Sequence, residues 1–257
     1  MKILFLGDIV GNPGREAVAK HVPAMRKSGE VDVVVVNGEN AAGGSGITEN
    51  VARELFSFGC DVITLGDHVW DKRETYPYLN SEAHIVRAAN FPSEAPGRGM
   101  CVIDVKGVKL AVITLLGRTY MKYLLNCPFR ALDAALGDLA GVKVILVDMH
   151  AEATSEKVAM GWYADGRVSA VLGTHTHIQT ADEKILPKGT AYITDVGMTG
   201  PYDSVIGQIK ERIIERYLTG LPNKFEVAAQ KATMCGALVD VDEATGFART
   251  ITRIQKD

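Results

Sequence analysis

The sequence has no CxxC pair, no basic run, no internal repeat and no apolar stretch approaching a membrane span. Each absence removes a class. Four scattered cysteines (Cys60, Cys101, Cys127, Cys235) in 257 residues give neither a disulfide framework nor a thiolate zinc site. Reduced thiols in a cytoplasmic protein are expected instead. Without a basic run, and with a formal net charge of −3, no stable nucleic-acid complex is expected. A small charged substrate remains open. The segment MKILFLGDIVG has too short an apolar part for a signal peptide and lacks a small-residue cleavage site. No membrane partner is expected, and homo-oligomerisation is left open. Linkers and low-complexity tracts are missing too, so a single domain over residues 1–257 is expected, with less regular rim segments near 71–99 and 118–128.

What is present is a series of short, β-branched runs: KILFLGD, DVVVVNGEN, DVITLGDH, KVILVDMH, SAVLGTHTH and AYITDVG. Uninterrupted runs such as VVVV predict strands buried on both faces. Helical patterns lie between several of them. GREAVAKHVPAMRKSG is expected to kink or break at Pro23. TENVARELFSFG has Thr48 as N-cap and Gly59 as stop, and SVIGQIKERIIERYL reads as the clearest amphipathic helix. Alternation of strand and helix predicts a largely parallel α/β arrangement. Hairpins turning at Lys106-Gly107 and near Gly246 add antiparallel strands, so two mixed sheets packed together with helices outside are expected.

Histidine is scarce, at six residues, yet His175 and His177 stand two apart directly after an apolar run. Residues i and i+2 at an extended strand end share a side, so the pair can hold a metal or can be two surface histidines. The other strand ends decide. Asp8, Glu39-Asn40, Asp67-His68 and His150 all follow apolar runs, and ligands in α/β sheets bind outside the carboxyl ends of the strands. An isolated Asp there is usually a cap or turn residue, and an isolated His is usually a satisfied core residue. Convergence at five strand ends favours a site. Carboxylates, one amide and three imidazoles suit Fe or Mn, with Zn, Ni or Mg also compatible. A bridging Glu39 would hold two metals roughly 3.5 Å apart, the spacing that clamps a phosphate.

The segments GDIVGNPGR, NGENAAGGSGIT, LGDHVWD, DMHAEATSEK, LGTHTHIQTAD and ITDVGMTGP run in order along nearly the whole chain. Together they resemble the calcineurin-like metallophosphoesterases, in particular the small bacterial YmdB-like branch of cyclic-nucleotide phosphodiesterases. The resemblance implies a four-layer α/β/β/α sandwich with a dinuclear site at its edge. It implies that Asp8, Glu39, Asn40 and His177 surround one metal, and that Glu39, Asp67, His150 and His175 surround the other. It casts His68 as the general acid in a phosphodiester hydrolysis by a metal-bridging hydroxide. The leading substrates are 2′,3′-cyclic nucleotides. Phosphomonoesters are the enzymatic alternative, and a non-catalytic metal-binding regulator is the other. Two departures stand out. The superfamily's opening Asp-x-His is Asp8-Ile9-Val10, with Asn40 taking the histidine's place as in the YmdB-like branch. Its Gly-Asn-His is Gly66-Asp67-His68, which leaves metal identity and substrate affinity open.

Supporting residues have two readings each. Gly43, Gly44 and Gly46 shape either a phosphate-approaching loop or an ordinary turn. Asp71 either orients His68 or caps the following helix, with the cap favoured. Arg15 and Arg118 either meet phosphate or are solvated, the latter favoured. His21 and His84 are given no role.

Overall fold

A computed structural model describes all 257 residues. In chain order the elements are β1 (Lys2–Leu6), α1 (Gly11–Lys27), β2 (Val33–Asn37), α2 (Glu49–Ser57), β3 (Val62–Thr64), α3 (Tyr76–Ser81) and β4 (Ile85–Val86). There follow β5 (Met100–Val105), β6 (Val108–Leu116), α4 (Pro128–Asp138), β7 (Val144–His150), α5 (Thr154–Ala164) and β8 (Ala170–Thr174). The chain finishes with β9 (Lys184–Ile185), β10 (Ala191–Ile193), β11 (Gly200–Pro201), α6 (Lys210–Thr219), β12 (Ala232–Val241) and β13 (Ala248–Lys256).

The strands form two mixed sheets. One has the order β11-β12-β1-β2-β3-β4, with β13 also paired to β12. The other runs β5-β6-β7-β8-β10-β9. Within them β1, β2, β3 and β4 are mutually parallel, as are β6, β7, β8 and β10, so each group presents its carboxyl ends along one edge.

Strand alternation builds the layers. Ile3, Phe5, Val33, Val35 and Val62 face Leu110, Val112, Val144, Leu146 and Leu172 of the other sheet. The intervening Leu4, Leu6, Val34, Val36 and Ile63 pack with Val18, Val22 and Met25 of α1 and Ala52 and Leu55 of α2. Ile113, Ile145, Val147 and Val171 pack with Leu132 and Ala135 of α4 and Met160 of α5. Helix, sheet, sheet and helix are therefore stacked in the expected four layers, and VVVV is buried on both faces.

Towards the strand ends, the positions facing the other sheet turn polar. Val33 and Val35 lead to Asn37, Val62 to Thr64, Val144 and Leu146 to Asp148 and His150, and Leu172 to Thr174. Across the gap Asn37 Nδ2 donates to Asp148 Oδ2 (3.2 Å), and the Thr64 hydroxyl donates to the same oxygen (2.5 Å). These bonds clamp the sheets together beside the converging strand ends, where unpaired polar groups would otherwise be costly.

Local expectations fare unevenly. Thr48 caps α2 by accepting from the Val51 N–H (3.4 Å). Lys106 and Gly107 have φ of 55° and 86°, the positive pair that a two-residue hairpin turn matching strand twist requires. The second hairpin turns over residues 242–247, with Gly246 at φ 83°. Helix α1, however, continues through Pro23 to Lys27. Proline here removes one backbone bond, while buried Val22 and Met25 on either side hold the helix to the sheet. The amphipathic segment is also shorter than expected: α6 begins at Lys210, and Ser204–Ile209 is not helical. Gly207, at φ 94°, turns the chain before the helix begins.

Candidate metal centre

Asp8 follows β1, Glu39 and Asn40 follow β2, and Asp67 and His68 follow β3. His150 ends β7, and His175 and His177 follow β8. The structure brings all eight to one place. Ligand atoms of Glu39, Asp67, His150 and His175 lie within 4.8 Å of one another. His150 Nε2 is 3.1 Å from Glu39 Oε1 and 3.2 Å from Asp67 Oδ1, and His175 Nδ1 is 3.4 Å from Asp67 Oδ1. Beside this group, His177 Nε2 lies 3.6 Å from Asp8 Oδ1 and 3.3 Å from Asn40 Nδ2. Asn40 turns its amide nitrogen towards these atoms, and half a rotation about its last torsion presents the oxygen instead.

Neighbouring groups fix the imidazoles. His150 Nδ1 meets the Thr174 hydroxyl (2.8 Å), which donates to Asp148 (2.6 Å), leaving Nε2 aimed at the carboxylates. His177 Nδ1 donates to the Ile206 carbonyl (2.9 Å), so its Nε2 also faces inwards. Such outer contacts set which ring nitrogen is free to bind a metal. His175 and His177 both have positive φ, 97° and 64°, a strained local geometry for non-glycine residues. Asp195 stabilises that turn, accepting from Thr176 N (3.1 Å), Thr176 Oγ1 (2.7 Å) and Gly197 N (2.8 Å). The fully buried Lys157 pairs with Asp195 at 2.7 Å. A side chain at Gly66 would collide with His150 and Glu39, so glycine lets the backbone pass close beneath the donors.

The electrostatics follow from burial and from the mixture of acids and imidazoles. Burial pushes the Asp8 and Asp67 carboxyls up, but the adjacent histidines reverse this and hold both well below the usual carboxylate range. Burial in turn pulls His150 and His177 down, yet Glu39 and Asp67 around His150, and Asp8 beside His177, hold both above the ordinary imidazole value. Burial pushes Asp148, further in, up to about 6. Three buried carboxylates, Asp8, Glu39 and Asp67, therefore converge among imidazoles at the strand ends. A cation of higher charge fits this donor set, with the imidazoles neutral as ligands.

His68 stands at the rim, its side chain about one-third exposed. Its backbone N–H donates to Glu39 Oε2 (3.0 Å), and its Nδ1 meets Asp71 Oδ2 at 2.7 Å. Ser45 Oγ donates to the same Asp71 oxygen. Asp71 therefore orients His68 and does not cap the following turn, where no side-chain cap exists. Lys122, from the irregular segment at 118–128, reaches within 3.7 Å of Asp67 and 3.6 Å of Asp71. The sequence offers no pattern for this lysine. Arg15 is occupied elsewhere, pairing with Glu54 (2.8 Å) and donating to the Ala41 carbonyl (2.6 Å). The Arg118 side chain is exposed. The donors open into a cavity of about 470 Å³, lined also by Gly43, Gly44 and Ser45, whose loop has φ of 73° and 92° at the two glycines. Ile206, Gln208 and Phe225 complete its wall.

A family model described as YmdB-like protein matches residues 4–254. The chain belongs to that family. Within it, the chain is 50% identical over 255 residues to the 2′,3′-cyclic-nucleotide 2′-phosphodiesterase of Bacillus subtilis (strain 168), spanning 99% of this chain and 96% of that one. Two solved structures superpose with a TM-score of 0.94. One is a hypothetical protein from Thermus thermophilus, 43% identical, covering 100% of this chain and 99% of that one. The other is a phosphatase from Mycoplasma pneumoniae, 33% identical, covering 100% and 93%. The YmdB-like architecture is thus shared over the full length, and this chain is a phosphoesterase of that family with a cluster able to hold metal.

Proposed function

We propose that this chain is a dinuclear metal-dependent phosphodiesterase acting on 2′,3′-cyclic nucleotides, the substrate class for which its Bacillus subtilis relative is named. Asp8, Asn40 and His177 would hold one metal, Asp67, His150 and His175 the other, and Glu39 both. Iron or manganese suits these donors best. Once bound, the two ions would supply charge to the phosphoryl oxygens and acidify a water.

The observation that carries this reading is the position of His68. It stands beside the donors without being one of them: Glu39 fixes its backbone and Asp71 fixes its ring. From the rim of the cavity, a protonated His68 delivers its proton to the departing ribose oxygen, and Asp71 keeps the ring turned for that transfer. A site that only stored metal would need no such oriented acid.

Several features support the wider setting. A single domain over residues 1–257 is supported by three apolar cores, one between the two sheets and one under each helix layer, that draw on residues from Met1 to Ala248. Three buried cysteines and one half-buried, all unpaired, suit the reducing cytoplasm. No helix is long and apolar enough to cross a membrane, and no basic run offers nucleic acid a stable complex.

The test is turnover of adenosine 2′,3′-cyclic phosphate by chelator-stripped protein reloaded with Mn²⁺ or Fe²⁺, alongside elemental analysis. Two metal equivalents and metal-restored hydrolysis are expected. A single equivalent under excess metal would defeat the dinuclear reading. Hydrolysis of phosphomonoesters alone would assign a different reaction, and binding without any turnover would leave a regulator.

A further inference from the structure

The cavity wall carries groups that a phosphodiester cannot use. Ile206 and Phe225 line the same cavity as Glu39, Asn40, His175 and His177, yet neither offers anything to an anion. Both are half exposed, at 47% and 56%.

Ile206 occupies a position that disfavours it. Val205 N donates to Gln208 O (3.0 Å) and Gln208 N to Val205 O (2.9 Å), closing a two-residue turn in which Ile206 and Gly207 have φ of 47° and 94°. Such a turn favours Asn, Asp or Gly first, and a β-branched side chain at positive φ is strained. The Ile206 carbonyl does accept from His177, but an Asn backbone would accept equally well. What the isoleucine adds is an apolar surface in the cavity. Strain of this kind persists where a side chain has a task.

Phe225 is held beside that turn. Ile209 N donates to Glu226 O and Ala228 N to Gly207 O, each at 2.9 Å, and the Arg216 guanidinium lies 5.0 Å from the Phe225 ring centre. Gln208 lines the same wall, and its side-chain oxygen, Oε1, is buried and has no hydrogen-bond partner. Buried acceptors are seldom left unpaired without reason. Gly44, at φ 92°, keeps the facing loop clear: a Cβ there would press on Val227 and come within 3.3 Å of Gln208 Nε2.

An aromatic face, an aliphatic neighbour and an unpaired amide oxygen match a nucleobase, which has a π-face and N–H donors on its edge. We propose that Phe225 and Ile206 form the seat of the substrate's nucleobase and that Gln208 reads its edge. The proposal deepens the cyclic-nucleotide reading and rests on it.

Two measurements test it on the metal-loaded protein. The first is the ratio of kcat/KM for adenosine 2′,3′-cyclic phosphate to that for the base-free 1-O-methylribose 2′,3′-cyclic phosphate. Phe225→Ala should reduce this ratio roughly tenfold through KM, the loss of one stacking contact. Ile206→Asn should reduce it too while holding or raising the thermal midpoint, because Asn suits the turn. The second is equilibrium binding of adenosine, which Phe225→Ala should weaken. An unchanged ratio in both variants, or binding indifferent to Phe225, would overturn the seat. If wild type hydrolyses neither phosphodiester but binds adenosine through Phe225, the seat stands and the activity assignment falls.

Discussion

At the scale of single residues, His68 offers the sharpest test, because it touches the metal donors only through its backbone. His68→Ala should keep both metals and slow turnover by about 10²–10⁴-fold. The loss should shrink for a nitrophenyl ester, whose leaving group needs little protonation. Metal loss in the variant, read by elemental analysis, would show that His68 is a ligand instead. Asp67 is the second case. Lys122 stands 3.7 Å from it, with Asp71 sharing the lysine at 3.6 Å. Burial pulls the lysine's pKa down, but the two carboxylates outweigh it, so the ammonium stays charged. Lysine and carboxylate then offset each other. Asp67→Asn should lower KM for an anionic phosphodiester, Lys122→Ala should raise it, and the double variant should return near wild type. Steady-state kinetics with Mn²⁺ decide this, and an unchanged KM in either single variant would refute the offset. The clustering of the candidate metal-binding residues is legible in sequence because each stands at or just past the end of a recognisable strand. Lys122 was not, since an irregular segment has no periodicity to place its side chains. Asp71 was legible only as one of two roles, because three residues after His68 a carboxylate can turn back or forward.

At the scale of elements, the His175–His177 turn depends on a residue in a different helix. Lys157 of α5 is fully buried against Asp195, which in turn accepts from the Thr176 and Gly197 backbone. Removing one member of such a pair leaves a buried charge alone. Lys157→Met should therefore destabilise the fold by about 3–5 kcal/mol in urea unfolding. It should also weaken metal binding, because two strained histidines lose their support. A loss under about 1 kcal/mol, the worth of a surface pair, would show that the pair does not hold the turn. Lys157 lies in a segment whose helical pattern is weak, and no local rule marks a lysine for burial. The hairpins read correctly for the opposite reason: Lys106-Gly107 and Gly246 carry their turn chemistry within a few residues. SVIGQIKERIIERYL reads as one helix because its apolar spacing runs on through Gly207, while the turn that delays the helix to Lys210 pairs through Gln208 with Val227, further along the chain. Long-range pairing is invisible to periodicity.

For the molecule as a whole, folding buries three of its four thiols, two of them, Cys60 and Cys101, within the apolar cores. Burial pushes Cys101 up to about 12, and Cys60 also lies well above its ordinary value. A thiol raised in the folded state leaves stability intact below its unfolded value near 9 and removes it as pH climbs through the folded value. The thermal midpoint should therefore fall steadily between about pH 9 and 12. Cys60→Ala should flatten part of that decline, and an identical slope in the variant would show that the thiol is not responsible. The layered architecture was legible because alternation and double-sided burial are local patterns. The order of strands was not, since β12 pairs with β1 across more than 200 residues. Asp8, Glu39, Asn40 and Asp67 follow strands of one sheet, while His150, His175 and His177 sit at strand ends of the other. A partly folded chain with only one sheet formed therefore carries the carboxylates or the imidazoles, never the two facing each other. The cluster comes into being only when the sheets dock.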